Sequence, residues 1–135
     1  MKTTGETNLS TLLQTMNPVL NTGEYVFCSV ADTTLIPADE ILLLFKEQEG
    51  TTLIIKKETA DAAGLAYTFV ASWITLTVHS SLEAVGLTAA FSTALAKEGI
   101  SCNVVAAFYH DHIFVDKKDA EKAMEVLNKL CSASQ

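Results

Sequence analysis

Residues Trp73 to Val115 constrain this chain more than any other stretch. WITLTVHSSLEAVGLTAAFSTALAKEGISCNVVAAFYHDHIFV holds, in order, a strand, a Ser/Gly loop, a helix and two more strands. Over Phe69–Val78, Ile74, Leu76 and Val78 fall on one face, and Trp73, Thr75 and Thr77 on the other. A half-polar face implies a sheet covered by helices on one side only. His79–Gly86 reads as a loop, in which Ser80 with Glu83 fits a capping box. Leu87, Phe91, Ala94 and Leu95 recur at helical spacing, and Gly99 follows where a left-handed cap belongs. Ser101–Phe108 and His112–Val115 are strands close enough to form a hairpin through Tyr109-His110-Asp111. Asp116 caps a last helix whose stripe is Ala120, Ala123, Met124, Leu127 and Leu130.

The second half thus runs β-α-β-β-α, a ferredoxin-like split β-α-β order short of its last strand. The first half offers elements that can complete it. Leu9, Leu12, Leu13 and Met16 make one stripe of a short helix, which Asn17-Pro18 ends. Tyr25–Val30 is a strand, and Thr51–Lys57 another. Between them, Pro37 suits a helix start with Asp39 and Glu40 behind it, and Ile41, Leu44 and Phe45 are the expected buried stripe. Glu58–Gly64 is the expected linker, dividing the chain into halves 1–64 and 65–135. The fold class is α/β in the α+β sense, with antiparallel sheets and helices on one face.

Charge narrows function. A net charge of −7 argues against nucleic acid, whose phosphates demand basic clusters. All nine cations are lysines, so no guanidinium can grip an anion, which backbone N–H groups, hydroxyls or a lysine must hold. No apolar run is long enough for a signal peptide or a membrane span, and the cytoplasm is the expected compartment. With 19% charged residues, some apolar face is expected to be covered by a second subunit. Cys28, Cys102 and Cys131 are widely spaced, the first two within apolar strand patterns, where a thiol packs as a small hydrophobe.

This topology sets the loop after the first strand beside the hairpin. His79, Ser80 and Ser81 then approach His110, Asp111 and His112, and the helix after Gly86 aims its free N–H groups at the same place. A ligand carboxylate suits that end. Asn103, disfavoured in a strand, needs a partner, either a neighbouring loop or a ligand. Two other chemistries compete. His79, His110 and His112, with Asp111, have the donor types for zinc. Ser80 or Ser81 with a histidine base has the parts of a nucleophile, but no GxSxG elbow surrounds them.

On ITLTVHSSLEAVGLTAAFSTALAKEGISCNVV the chain resembles the ACT-domain family of small-molecule-binding regulatory modules, in particular those of aspartokinases. Carried through YHDHIFV and AEKAMEVL, it is similar to small stand-alone bacterial proteins built of two ACT-like halves. The resemblance implies amino-acid binding by Ser80, Ser81, Glu83, Ala84, Val85, Gly86 and Leu87, with Asn103 and Val104 on the adjoining strand. Asp111 joins them, and the ligand's ammonium group would suit Glu83 or Asp111. It also implies no cofactor, no catalysis and a homodimer.

Overall fold

The computed structural model describes residues 8–78 and 85–133. In chain order its elements are α1 (Leu9–Thr15), β1 (Asn17–Leu20), β2 (Tyr25–Val30), β3 (Ile41–Lys46), β4 (Thr51–Lys56), α2 (Lys57–Ala63), β5 (Val70–Thr77), α3 (Leu87–Lys97), β6 (Asn103–Ala106), β7 (Asp111–Asp116) and α4 (Ala120–Ala133). The chain forms two compact units. One, the mid-chain unit, is Thr22–Ser72; the other, the split unit, joins the segment ending at Asn21 to the segment starting at Trp73.

In the mid-chain unit β4 lies between β3 and β2, antiparallel to both, and the first residues of β5 pair with β2 through Tyr25↔Ala71 and Val26↔Val70. Two expectations fail here. Ile41–Lys46 is a strand, not the body of a helix: ILLLFK is a short run of large apolar residues, and β4 offers it a ladder. Only Ala38–Glu40 after Pro37 makes a 3-10 turn. Leu44 and Phe45 stay 42% and 63% exposed, so they form no buried stripe. The expected linker Glu58–Gly64 is instead almost wholly α2, because the Ala-rich run favours helix. Its Ala60 is buried, and Gly64 closes it in the left-handed region at φ 70°. Val26, Cys28, Val30, Ile36, Leu53, Ile55 and Ala60 make this unit's core.

The split unit has the strand order β1-β5-β7-β6. β1 runs antiparallel to β5 from Asn17↔Thr77 to Leu20↔Ile74. It therefore supplies the strand missing from the β5-α3-β6-β7-α4 order, although the sequence reading ended the helix there and assigned no strand. Asn21 fastens that edge, its side-chain amide donating to the Trp73 carbonyl at 3.2 Å and to Thr75 Oγ1 at 3.0 Å. Ile74, Leu76, Val78, Ile113 and Val115 face α1, α3 and α4, which contribute Leu12, Leu13, Leu87, Phe91, Leu95, Ala123, Leu127 and Cys131. All helices of this unit thus cover one side of the sheet, and the half-polar alternation of β5 is explained.

Candidate functional site

The β6–β7 hairpin turns earlier than its sequence suggests. Ala106 pairs with Asp111, and the Ala107 N–H donates to the His110 carbonyl at 3.1 Å, so the turn is Ala107–His110 and Asp111 already belongs to β7. Phe108 and Tyr109 stand exposed at the tip, edge to face with centroids 5.0 Å apart. The His110 ring lies with Nδ1 3.1 Å from the Val78 carbonyl. A carbonyl only accepts, so Nδ1 carries the proton. This bond brings the hairpin to the end of β5, where the following loop departs.

Asp111 is the decisive residue of this end. It is 7% exposed, and in alternation with Ile113 and Val115 it lies on the helix-facing side of the sheet. Burial pushes its pKa above the ordinary carboxylate value, and the nearby His110 pulls it part of the way back. Gly86 opens α3 in the left-handed region at φ 99°, with no side-chain cap. A Cβ there would lie 3.3 Å from Leu9 Cδ2, so α1 packs against this helix start. Among the described residues no side chain caps the first N–H groups of α3, and its dipole presents partial positive charge there.

The remaining candidates fall in three groups. His79, Ser80, Ser81, Glu83 and Ala84 lie outside the described residues. Val85 is 83% exposed beside Gly86, whereas the Leu87 side chain is in the core. Asn103 pairs with Phe114, at the end of β6 away from Asp111, and its amide donates to the Phe114 carbonyl at 3.1 Å. That neighbouring strand is the partner its position required. Val104 packs against the helix-side core. For metal, His110 and His112 take separate partners, and among the described residues no three of His, Cys, Asp and Glu are grouped to hold an ion.

A second polar cluster, on the face of the sheet away from the helices, was not evident from sequence. Trp73 Nε1 donates to His112 Nδ1 at 3.0 Å, and Thr75 Oγ1 lies 3.2 Å from the same nitrogen. An indole N–H only donates, so His112 Nδ1 accepts and the neutral ring carries its proton on Nε2. Trp73 also stacks on Phe114 at 6.3 Å. Alternation put Trp73 and Thr75 on one face, but could not show that His112 would meet them.

Desolvation first, then the like charge of His110, holds the His112 pKa below the usual 6.5. The neutral ring is the one the fold prefers. This stabilisation is complete above 6.5 and is lost as pH falls through the lower folded value. Trp73 is the only tryptophan, so an emission titration is expected to break below pH 6.5, and His112→Gln to remove the break. A break above 6.5, or one that survives the substitution, contradicts the assignment.

Comparison with known proteins places these features. The family model described as "ACT domain" matches twice, over residues 4–72 and 69–129. Among solved structures, a Vibrio cholerae protein of unknown function, described as a possible transport protein, is 49% identical with TM-score 0.81, covering 91% of this chain and 95% of that one. An Agrobacterium tumefaciens protein is 17% identical with TM-score 0.65, covering 86% and 89%. The ligand-free regulatory subunit of aspartate kinase from Thermus thermophilus is 10% identical with TM-score 0.63, covering 87% and 98%, and is similar in fold alone. No curated protein matches the sequence.

Proposed function

This chain belongs to the ACT-domain family, with one match in each half, and from that premise we propose that it is a non-enzymatic regulatory protein that binds an amino acid at the Asp111 end of its split unit. The observation that carries this reading is Asp111 itself. Burial disfavours its ionised carboxyl, and a ligand's cationic group placed beside it would offset that cost. The ligand's ammonium would pair with Asp111, and its carboxylate would take the free N–H groups opening α3 at Gly86. Residues Ser80, Ser81, Glu83, Ala84 and Val85 would line the same recess from the loop after β5, while Asn103 and Val104 would brace the adjoining strand. The kinship in fold with regulatory subunits of aspartate kinase supports a role in which ligand occupancy is reported to another protein.

Two further parts of the reading concern setting. The exposed apolar residues of β3, Leu42, Leu44 and Phe45, suit a homodimer formed by joining sheets. Three free cysteines suit the reducing cytoplasm. The test is thermal unfolding against each amino acid. Saturation at 100–1,000 times the dissociation constant is expected to add about 3–4 kcal/mol, seen as a rise in Tm of several degrees. A folded protein that responds to none of them would overturn the amino-acid reading.

A further inference from the structure

The mid-chain unit has a recess of its own, lined only by residues of Thr22–Ser72. We propose, independently of the reading above, that this recess binds a small organic cation, an alkyl chain that bears ammonium groups. Its volume of about 380 Å³ falls within the range of about 300–1,000 Å³ that small-ligand sites occupy. Buried Tyr25 and its cross-strand partner Lys56 line it from β2 and β4. Asp39 and Glu40 line it from the 3-10 turn before β3, and Glu58 and Thr59 from the first turn of α2. The Thr59 hydroxyl donates to Glu40 Oε1 at 3.1 Å and ties those two sides together. A bulge shapes the apolar wall. The register of β3 on β4 shifts between Ile41 and Leu43, so Leu42 is the extra residue, and it lines the recess with Ile41.

The lining therefore sets three carboxylates against one ammonium. No other cation of this unit answers them. The unit has no arginine or histidine, Lys57 is engaged by Asp61 at 3.0 Å, and Lys46 lies at the other end of β3. Nor do the carboxylates converge on a point: among the described residues no three of His, Cys, Asp and Glu are grouped to hold a metal ion. Acidic groups spread around an apolar wall suit a longer cation. Its methylenes would lie on Ile41 and Leu42 while its ammonium groups reach Asp39 and Glu58.

The experiment is an NMR titration of the full chain with the diamine putrescine, with butanediol and magnesium as comparisons. Putrescine is expected to give saturable amide shifts at Tyr25 and at residues 39–42 and 56–59. Butanediol keeps the carbon chain without the charges and should shift none of them. Asp39→Asn and Glu58→Gln keep the shapes and remove one charge each, at exposed positions that the fold tolerates. Each should weaken putrescine binding about threefold, and Lys56→Gln should strengthen it by a similar factor. Glu49→Gln, in the turn between β3 and β4 at the opposite end of those strands, should leave it unchanged. The inference is overturned by the absence of saturable shifts at these positions, or by equal shifts from butanediol or from magnesium at the same concentration. A loss at Glu49→Gln as large as at Glu58→Gln also overturns it, because it would mean diffuse attraction to an acidic surface. The wild-type titrations decide the matter even if a variant fails to fold.

Discussion

Removing residues 1–21 is expected to abolish cooperative unfolding of the split unit, although the deletion stops fifty residues short of that unit's main segment. The deleted piece carries Leu12, Leu13 and Met16, all in the core that α3 and α4 close, and it carries β1, the whole edge ladder along β5. A buried leucine truncated to alanine costs about 2–5 kcal/mol. Losing two leucines, a methionine and a strand together exceeds the total stability of an ordinary domain, about 5–15 kcal/mol. The shortened chain should show no sigmoidal denaturant transition reported by Trp73, and should expose apolar surface to a hydrophobic dye. A sharp transition of native slope would show that β5, β6, β7, α3 and α4 suffice without β1.

Phe91→Ala is the single substitution expected to cost most. Phe91 is 0% exposed at the centre of α3, between Leu87 and Leu95, in the core that includes Ile74, Leu76 and Ile113. Close packing leaves neighbours little room to collapse into the gap, so the loss is about 3–5 kcal/mol, read from denaturant midpoints at constant slope. Phe108→Ala makes the control. The same side chain at 72% exposure on the β6–β7 turn should change stability by no more than about 1 kcal/mol. Equal losses at the two positions would mean that the core is not where the structure puts it.

The two halves of the chain were unequally legible. From Trp73 onward, periodicity placed β5, α3, β6, β7 and α4 with small errors at their ends, because each has a long or strongly patterned signal. In the first half, ILLLFK was misread as helix and ETADAAG as linker. A short continuous apolar run satisfies both periods, and an alanine-rich segment carries little amphipathic contrast. At the candidate site, Gly86 as the opening of α3 was readable from its place between loop and helical stripe. The burial of Asp111 was not, because it depends on the hairpin turning one residue earlier than the His-Asp pair suggests. Nor was the acceptor role of His112, which is set by Trp73 from another strand.

What the sequence determined by itself is the local chemistry: which segments are helix or strand in the second half, the absence of arginine, and an acidic balance that argues against nucleic acid. Tertiary structure alone decided that Asn17–Leu20 completes a sheet begun more than fifty residues later, and that Asp111 is buried. The reason is physical. Periodicity and propensity act between neighbours along the chain, whereas strand partnership and burial are settled by which distant surfaces close on one another.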